Sequence, residues 1–174
     1  IPQHDGWIIG DDPATSKVFE AGKAGQLKAA VKWGIGVDNV DFAACKRLGI
    51  PISNTPGMFG AEVADLAMCY ILGLARDAFF IDREVRSGNW SKPAGISLGD
   101  KTIGIVGYGD LGQSVKKIAD AFDMKVLIAE RPHATSIRVD RVPFTQVLQQ
   151  ADIITLHCPQ TPETINLINQ QTLT

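Results

Sequence analysis

Two glycine-rich phrases, GIGVDN at 34–39 and GYGDLG at 107–112, could bind an anion through backbone N–H groups. A diphosphate-binding turn has the pattern Gly-x-Gly-x-x-Gly between a buried strand and a helix, with an acidic residue closing the next strand. In the second phrase, Gly107, Gly109 and Gly112 follow the apolar run IGIV and open a helical pattern. This phrase therefore predicts a site for the diphosphate of a dinucleotide.

The acidic residue that completes the pattern is Glu130, at the end of the apolar run KVLIAE. A carboxylate at this position accepts both hydroxyls of the adenosine ribose and repels an added 2′-phosphate, which favours NAD over NADP. Arg131 follows directly, and it could pair with a 2′-phosphate or lie flat against the adenine. Asp110 is interpreted as a helix cap rather than a ligand contact, because its carboxylate would repel a diphosphate.

The first glycine phrase lacks part of the same pattern. Asn39 stands where the third glycine is needed, and the next predicted strand, IPISN, ends without an acid. Gly34 and Gly36 nevertheless lie between a strand and a helix, where their N–H groups could hold a small carboxylate. The alternative is a plain turn in which Asn39 caps the following helix.

Short apolar runs alternate with short helical patterns around both phrases, which predicts an α/β fold with parallel sheets. Before residue 55 we predict strands at 6–10, 27–33 and 50–54. A first helix is predicted to start at Pro13 after an Asp12 cap, and a second to start at Asp41. The phrase TPGMFG at 55–60 interrupts the pattern and predicts a hinge.

After residue 101 the chain shows one βαβαβ unit, the first half of a Rossmann-type doubly wound sheet. Its segments are KTIGIVG, DLGQSVKKIADAF, MKVLIAE, PFTQVLQQ and ADIITLH. Before it, apolar residues recur at helical spacing from 61 to 87, which predicts one continuous helix that Gly88 ends. At ~1.5 Å per residue this helix would be about 40 Å long, so we expect part of it to contact a second copy in a homodimer.

Composition argues against several classes of protein. The 174 residues carry a net charge of −2, without the basic surplus that nucleic-acid binding requires. No apolar run approaches the ~18 residues of a membrane span, and the start lacks a secretion signal, so we predict a cytoplasmic protein. Three cysteines match neither a zinc pattern nor a disulfide framework, which predicts reduced thiols and no metal. His4 and His133 are predicted to be surface histidines.

Six phrases of this sequence resemble motifs of the D-isomer-specific 2-hydroxyacid dehydrogenases, and they occur in the same order and at similar spacing. They are GIGVDNVD, GIPISNTPG, AEVADLAM, SGNW, GDKTIGIVGYGDLGQ and ADIITLHCPQTPETINLI, and VDNVD and NTPG are most similar to the phosphoglycerate dehydrogenase branch. The resemblance implies NAD-dependent hydride transfer between a D-2-hydroxy acid and a 2-oxo acid. It also implies a partial flavodoxin-like substrate domain at 1–57, and the long helix with the first half of the Rossmann domain at 58–174.

The resemblance also implies roles for individual residues. By this resemblance, the N–H groups of Gly34, Ile35 and Gly36 bind the substrate carboxylate. Lys32 stands where some relatives have a basic residue near a substrate anion, although a solvated strand-end lysine fits equally. Together with Arg131, the predicted cofactor contacts are Thr55, Gly107, Gly109, Asp110, Leu111, Gly112, Glu130, His157, Cys158, Pro159 and Thr164. Of these, His157 and Cys158 are interpreted as walls of the cofactor site rather than as an acid–base and a nucleophile.

The family's catalytic Arg, Glu and His follow the phrase TPETINLI, so the resemblance places them beyond Thr174 and none in this chain. The start also lacks the first strand and helix of the family, so we expect an internal fragment of a longer protein. One alternative is a non-enzymatic, NAD-responsive regulator resembling a corepressor on the same fold. Another is a relative that acts on an inorganic anion such as phosphite, which would depend on Lys32.

Overall fold

The computed structural model of the chain describes residues 1–132, 134 and 136–173. His133, which the sequence places on the surface, lies outside the described residues. The chain divides into two compact units, Ile1–Phe59 and Gly60–Thr174, and the division falls within the TPGMFG phrase. Each unit contains a parallel sheet with connecting helices, so the predicted α/β class is confirmed.

The first unit is a three-stranded parallel sheet with strand order β1-β2-β3. Its strands are β1 (Gly6–Ile9), β2 (Ala29–Lys32) and β3 (Ile52–Asn54), and its helices are α1 (Ser16–Ala24) and α2 (Phe42–Leu48). The Asp41 carboxylate accepts the N–H of Ala44 at 2.8 Å at the start of α2, and Gly49 ends the helix in the left-handed conformation. Ile9, Phe19 and Cys45 are fully buried in the core between sheet and helices.

The predicted start of the first helix is wrong. α1 begins at Ser16 after the N-cap Thr15, so Asp12 and Pro13 precede the helix. The cause is a pairing with the segment just before α2, where Ala14 forms a parallel bridge with Val40. The N–H of Ala14 donates to the carbonyl of Asn39 at 2.8 Å, and its carbonyl accepts from Asp41 at 2.9 Å. This pairing keeps the chain extended before Ser16.

The second unit contains a three-stranded parallel sheet with order β5-β4-β6, where β4 is Thr102–Val106, β5 is Lys125–Ile128 and β6 is Ile153–Leu156. α5 (Asp110–Ala121) connects β4 to β5, and α6 (Phe144–Gln150) precedes β6. With the first strand in the centre, this is the predicted βαβαβ half of a doubly wound sheet. The buried core joins α5 to the long helix before it, α3 (Gly60–Ala75).

The predicted continuous helix from 61 to 87 is wrong, because α3 ends at Ala75 and a second helix, α4 (Ala78–Arg86), follows. Asp77 between them has a left-handed backbone with φ 55°. The carbonyl of Ala75 accepts the N–H of Ile96 at 2.6 Å, and the ring of Phe79 lies against Gly73 where any side chain would overlap it. With 16 residues α3 is about 24 Å long, so helix length no longer argues for a homodimer.

Candidate functional site

The turn between β4 and α5 is built on three glycines with different tasks. Gly107 has φ +94°, and a side chain there would overlap the backbone of His157 and Cys158. Gly112 lies against the carbonyl of Gly107, so a side chain would separate the helix from the turn. Gly109 is the N-cap of α5, and no atom of the described residues lies within 4 Å of the place its side chain would occupy. The helix N-terminus is therefore open to a phosphate at Gly109.

Asp110 is the first residue of α5 and Gly109 is the N-cap, so the interpretation of Asp110 as the cap is wrong. The Asp110 carboxylate lies against Gly60 at the start of α3, where a side chain on Gly60 would meet it. This position places the negative charge near the N-termini of two helices, which favours it electrostatically. Leu111, the next predicted contact, is half-buried in the first turn of α5.

The predicted HCP turn lies directly beside the glycine turn. The N–H of His157 donates to the carbonyl of Val106 at 2.7 Å, and the His157 and Cys158 backbone approaches Gly107. The imidazole Nε2 of His157 lies 2.9 Å from Oγ1 of Thr155, and burial lowers the pKa of the ring. The place of His157 beside the glycine turn fits the predicted wall of the cofactor site.

A hydrogen-bonded loop follows the HCP turn. Oγ1 of Thr164 donates to the carbonyl of Pro159 at 2.6 Å and accepts the N–H of Thr161 at 2.8 Å. The side chain of Thr164 thus shapes the loop that begins at Pro159. If Thr164 contributes to cofactor binding, these hydrogen bonds favour an indirect contribution, through the conformation of this loop.

Glu130 lies at the end of the β5 run with its side chain only 7% exposed. One oxygen, Oε1, accepts the N–H of Arg131 at 2.8 Å, and Oε2 accepts the N–H of Arg138 at 3.0 Å. Nη1 of Arg141 lies 3.8 Å from Oε1. A carboxylate has about four lone-pair sites, so each oxygen retains capacity for a ribose hydroxyl. The remaining acceptor capacity therefore fits the predicted ribose contact, although the N–H groups of Arg131 and Arg138 already occupy part of the carboxylate.

The pKa of Glu130 is held below its ordinary value of 4.5, first by the N–H of Arg131, then by that of Arg138, with the Arg141 charge adding. Stability from such a depressed pKa is present above pH 4.5 and is lost as the pH falls through the lowered value. We expect Glu130→Gln to lower Tm at pH 7. The difference in Tm between wild type and this variant should become smaller below pH 4.5. Thermal denaturation from pH 7 to pH 3 checks this, with Asp65→Asn, an exposed carboxylate of α3, as the matched control. A gap that stays constant with pH would contradict it.

Arg141 is a residue that the sequence interpretation missed. Its guanidinium lies over the ring of Tyr108 in the glycine turn, with 5.7 Å from Cζ to the ring centroid, and beside Glu130. The available signal was the three arginines of the segment 131–141, which follow the strand-end acid. Arg131 itself contacts Glu130 through its backbone, and its side chain is exposed.

The first glycine phrase forms a separate turn in the first unit. The N–H of Gly34 donates to Oγ1 of Thr55 at 2.9 Å, and the N–H of Thr55 donates back to the carbonyl of Gly34 at 3.2 Å. Thr55, predicted as a cofactor contact, thus holds this turn closed. In residues 1–132, 134 and 136–173, the N–H groups of Ile35 and Gly36 find no hydrogen-bond acceptor. These two groups, rather than that of Gly34, are available for a carboxylate.

Lys32 is buried, with its side chain 6% exposed, so the solvated-lysine interpretation is wrong. Its Nζ donates to the carbonyl of Gly10 at 2.5 Å and lies 3.4 Å from Oδ1 of Asp11. Asn39 does not cap α2, because its amide donates to the carbonyls of Gly10 and Asp12 and Asp41 is the cap. A cavity of about 400 Å³ lies against this phrase, lined by Lys32, Gly34, Gly36 and Asn39 among others. Within the described part of the chain, no cluster of His, Cys, Asp and Glu side chains could hold a metal ion.

The fold and the glycine turn define a dinucleotide-binding α/β protein. Residues 68–174 match the family described as "D-isomer specific 2-hydroxyacid dehydrogenase, NAD binding domain". The chain belongs to this family.

Individual relatives agree with the family assignment. The chain is 36% identical to a hydroxypyruvate reductase of Thermotoga maritima over 99% of its own length and 57% of the relative's. It is also 36% identical to a D-3-phosphoglycerate dehydrogenase of Synechocystis sp., over 99% of this chain and 32% of that protein. The crystal structure of NAD+-bound 3-phosphoglycerate dehydrogenase from Entamoeba histolytica is similar with a TM-score of 0.74 and 32% identity, over 92% of this chain and 48% of that one. The chain thus spans between about a third and somewhat over half of these relatives.

Proposed function

We propose that the whole protein is an NAD-dependent D-2-hydroxyacid dehydrogenase that interconverts a D-2-hydroxy acid and a 2-oxo acid. The observation that carries this proposal is the open N-cap at Gly109, framed by Gly107 and Gly112, with the carboxylate of Glu130 after the next strand. Bound NAD would supply the nicotinamide that exchanges a hydride with the substrate. The residues of this chain would hold the cofactor and the substrate carboxylate, and none is assigned the proton transfer.

In this proposal, the N–H groups from Gly109 to Gly112 hold the diphosphate and Glu130 accepts the ribose hydroxyls. The wall of the site is assigned to the turn His157–Pro159, whose backbone packs on Gly107, with Thr164 shaping the loop after it. Residues 58–174 are accordingly assigned to the helices α3 and α4 and the first half of the Rossmann domain.

For the substrate we propose the N–H groups of Ile35 and Gly36 as the donors to the carboxylate, because both lack an acceptor in the described residues. Residues 1–57 are then part of a substrate domain. Lys32 lines the same cavity, but its ammonium lies 3.4 Å from Oδ1 of Asp11, and Asp11 and Asp38 also line the cavity, so the two N–H groups carry the proposal rather than Lys32. The names of the relatives point to small 2-oxo acids of two or three carbons, because they include hydroxypyruvate reductase, D-3-phosphoglycerate dehydrogenase and glyoxylate reductase.

The test is NADH oxidation by the full-length protein with hydroxypyruvate, phosphohydroxypyruvate, glyoxylate and pyruvate as separate substrates. We expect NADH to bind and at least one of these acids to be reduced. Binding of NADH with no reduction of any 2-oxo acid in a wide panel would favour the regulator of the same fold. Absence of NADH binding would contradict both.

We also propose a homodimer that buries exposed apolar side chains of α4. Every residue of α4 is at least partly exposed, and Phe79, Phe80 and Val85 are each more than 40% exposed. A two-fold dimer pairs a surface with its own copy, and the net charge of −2 offers little repulsion between copies.

Phe80→Glu is expected to convert this dimer to a monomer, because two buried carboxylates would face each other across the two-fold axis. Light scattering coupled to size exclusion measures the mass of the full-length protein, with Phe122→Glu, an exposed aromatic residue after α5, as the control. A monomeric wild type, or a Phe80→Glu protein of unchanged mass, would contradict the proposal.

No helix in residues 1–132, 134 and 136–173 has both the length and the apolar character of a bilayer-spanning segment. Separately, we propose that the protein is cytoplasmic, and the state of its cysteines supports this. Cys45, Cys69 and Cys158 are all free thiols, which is the usual state in a reducing compartment.

A further inference from the structure

Arg141 is an arginine buried in the nucleotide half of the chain. Its side chain is 8% exposed, and its Nη1 lies 3.8 Å from the carboxylate of Glu130. The guanidinium also lies over the ring of Tyr108, which stands between the first two glycines of the turn. Its Nε is buried and has no hydrogen-bond acceptor among the described residues. Arg141 thus bridges the strand-end acid and the glycine turn without saturating its own donors.

The two members of this pair depend on each other unequally. Glu130 has two backbone N–H donors of its own, at 2.8 and 3.0 Å, and does not need Arg141 to satisfy its oxygens. Arg141 has five N–H donors and a charge that Glu130 balances, at a distance longer than a hydrogen bond. The guanidinium therefore acts on Glu130 mainly through its charge, at short range and away from solvent, where screening is weak.

We propose that the charge of Arg141, added to that of Glu130, sets how strongly the site rejects a dinucleotide carrying a 2′-phosphate. This inference rests on the proposed function, in which Glu130 contacts the adenosine ribose. A carboxylate at that position repels a 2′-phosphate, and a buried guanidinium beside it offsets part of its charge. The contact with Tyr108 fixes the guanidinium to the glycine turn, so its charge stays beside Glu130.

Substitution of Arg141 should therefore sharpen the preference for NADH over NADPH. For Arg141→Met we expect the Kd for NADPH to rise about tenfold more than the Kd for NADH, since Glu130 keeps its full charge. Calorimetric titration of the full-length protein with each dinucleotide, at one ionic strength, gives both constants. Arg141→Gln is expected to shift the ratio in the same direction and serves if the methionine variant does not fold.

Arg141→Lys is the matched control, because it keeps the positive charge and changes the shape. Its ratio of the two Kd values is expected to stay within about threefold of wild type. A double-mutant cycle tests whether the two charges act additively. In a Glu130→Gln background, Arg141→Met should still raise the ratio of the NADPH Kd to the NADH Kd, because the field of the guanidinium acts on the 2′-phosphate directly.

Thermal stability gives a second readout that does not need a cofactor. Glu130→Gln leaves the Arg141 charge buried without its carboxylate, which is strongly unfavourable, whereas Arg141→Met leaves Glu130 with two donors. We expect Glu130→Gln to lower Tm more than Arg141→Met does, and the double variant to recover part of that loss.

The outcomes separate this inference from the proposed function. A wild-type protein that binds neither dinucleotide contradicts the proposed function. A wild type that binds, together with an Arg141→Met protein in which both Kd values rise by the same factor, leaves Arg141 a packing role only and overturns the inference. An effect of Arg141→Met that vanishes in the Glu130→Gln background also overturns it.

Discussion

Replacing Gly109 with alanine is expected to leave the protein folded and to weaken NADH binding about 50-fold, a change of ~2.3 kcal/mol in binding free energy. The backbone at Gly109 has φ −86° and ψ −156°, which an L-residue adopts, and no atom of the described residues lies within 4 Å of the added methyl group. Tm should therefore change by less than about 2 °C. The methyl group instead occupies the space in which a diphosphate must approach the N-terminus of α5.

The measurement is calorimetric titration of the full-length protein with NADH, with thermal denaturation of the same samples. Gly99→Ala is the matched control, because the added methyl group would lie 3.9 Å from the carbonyl oxygen of Phe122, an ordinary contact. That variant should retain both Tm and NADH affinity. Unchanged affinity in Gly109→Ala would show that the diphosphate does not approach this turn.

Replacing Gly107 with alanine is expected to destabilise the fold by about 4 kcal/mol, which combines a left-handed backbone strain with an overlap in a packed region. Gly107 has φ +94°, and its new methyl group would overlap the backbone of His157 and Cys158. The turn and the end of β6 would have to separate, and the hydrogen bond from His157 to Val106 would be strained. Tm should fall by about 10 °C.

Thermal and urea denaturation measure this loss, and Gly109→Ala in the same turn is its control. The two substitutions thus have opposite signatures, with stability lost at 107 and nucleotide affinity lost at 109. A Gly107→Ala protein as stable as wild type would contradict the close packing of the HCP turn on the glycine turn.

Features set by local sequence were predictable. The glycine turn could be placed because a buried strand, three glycines and a helix are contiguous, and their geometry depends on short-range sterics. The limits of α2 followed similarly from the capping Asp41 and from Gly49, which takes the left-handed conformation. The parallel order of β4, β5 and β6 followed from the alternation of strands and helices.

Features set by distant contacts were not predictable in the same way. The apolar periodicity runs unbroken from 61 to 87, so it does not show the helix break at Asp77. At this break the N–H of Ile96 donates to the carbonyl of Ala75, and the ring of Phe79 packs against Gly73. The start of α1 is displaced because Ala14 pairs with Val40, against the local signal of Asp12 and Pro13.

The candidate sites show the same division between local and distant causes. Lys32 stands near the end of a predicted strand, two residues before Gly34, which suggests exposure, but the carbonyl of Gly10, directly after the neighbouring strand β1, receives its ammonium. Arg141 lies far along the chain from Tyr108, and only the folded β4–α5 turn brings the ring beneath the guanidinium. Sequence spacing located the glycines and Glu130, whereas the partners of Glu130 required the structure.

A crystal structure of the full-length protein with NADH bound tests the nucleotide site most directly. We expect the diphosphate to contact the N–H groups between Gly109 and Gly112 and the carboxylate of Glu130 to contact the adenosine ribose. A nucleotide bound elsewhere, or a diphosphate away from the N-terminus of α5, would contradict this expectation.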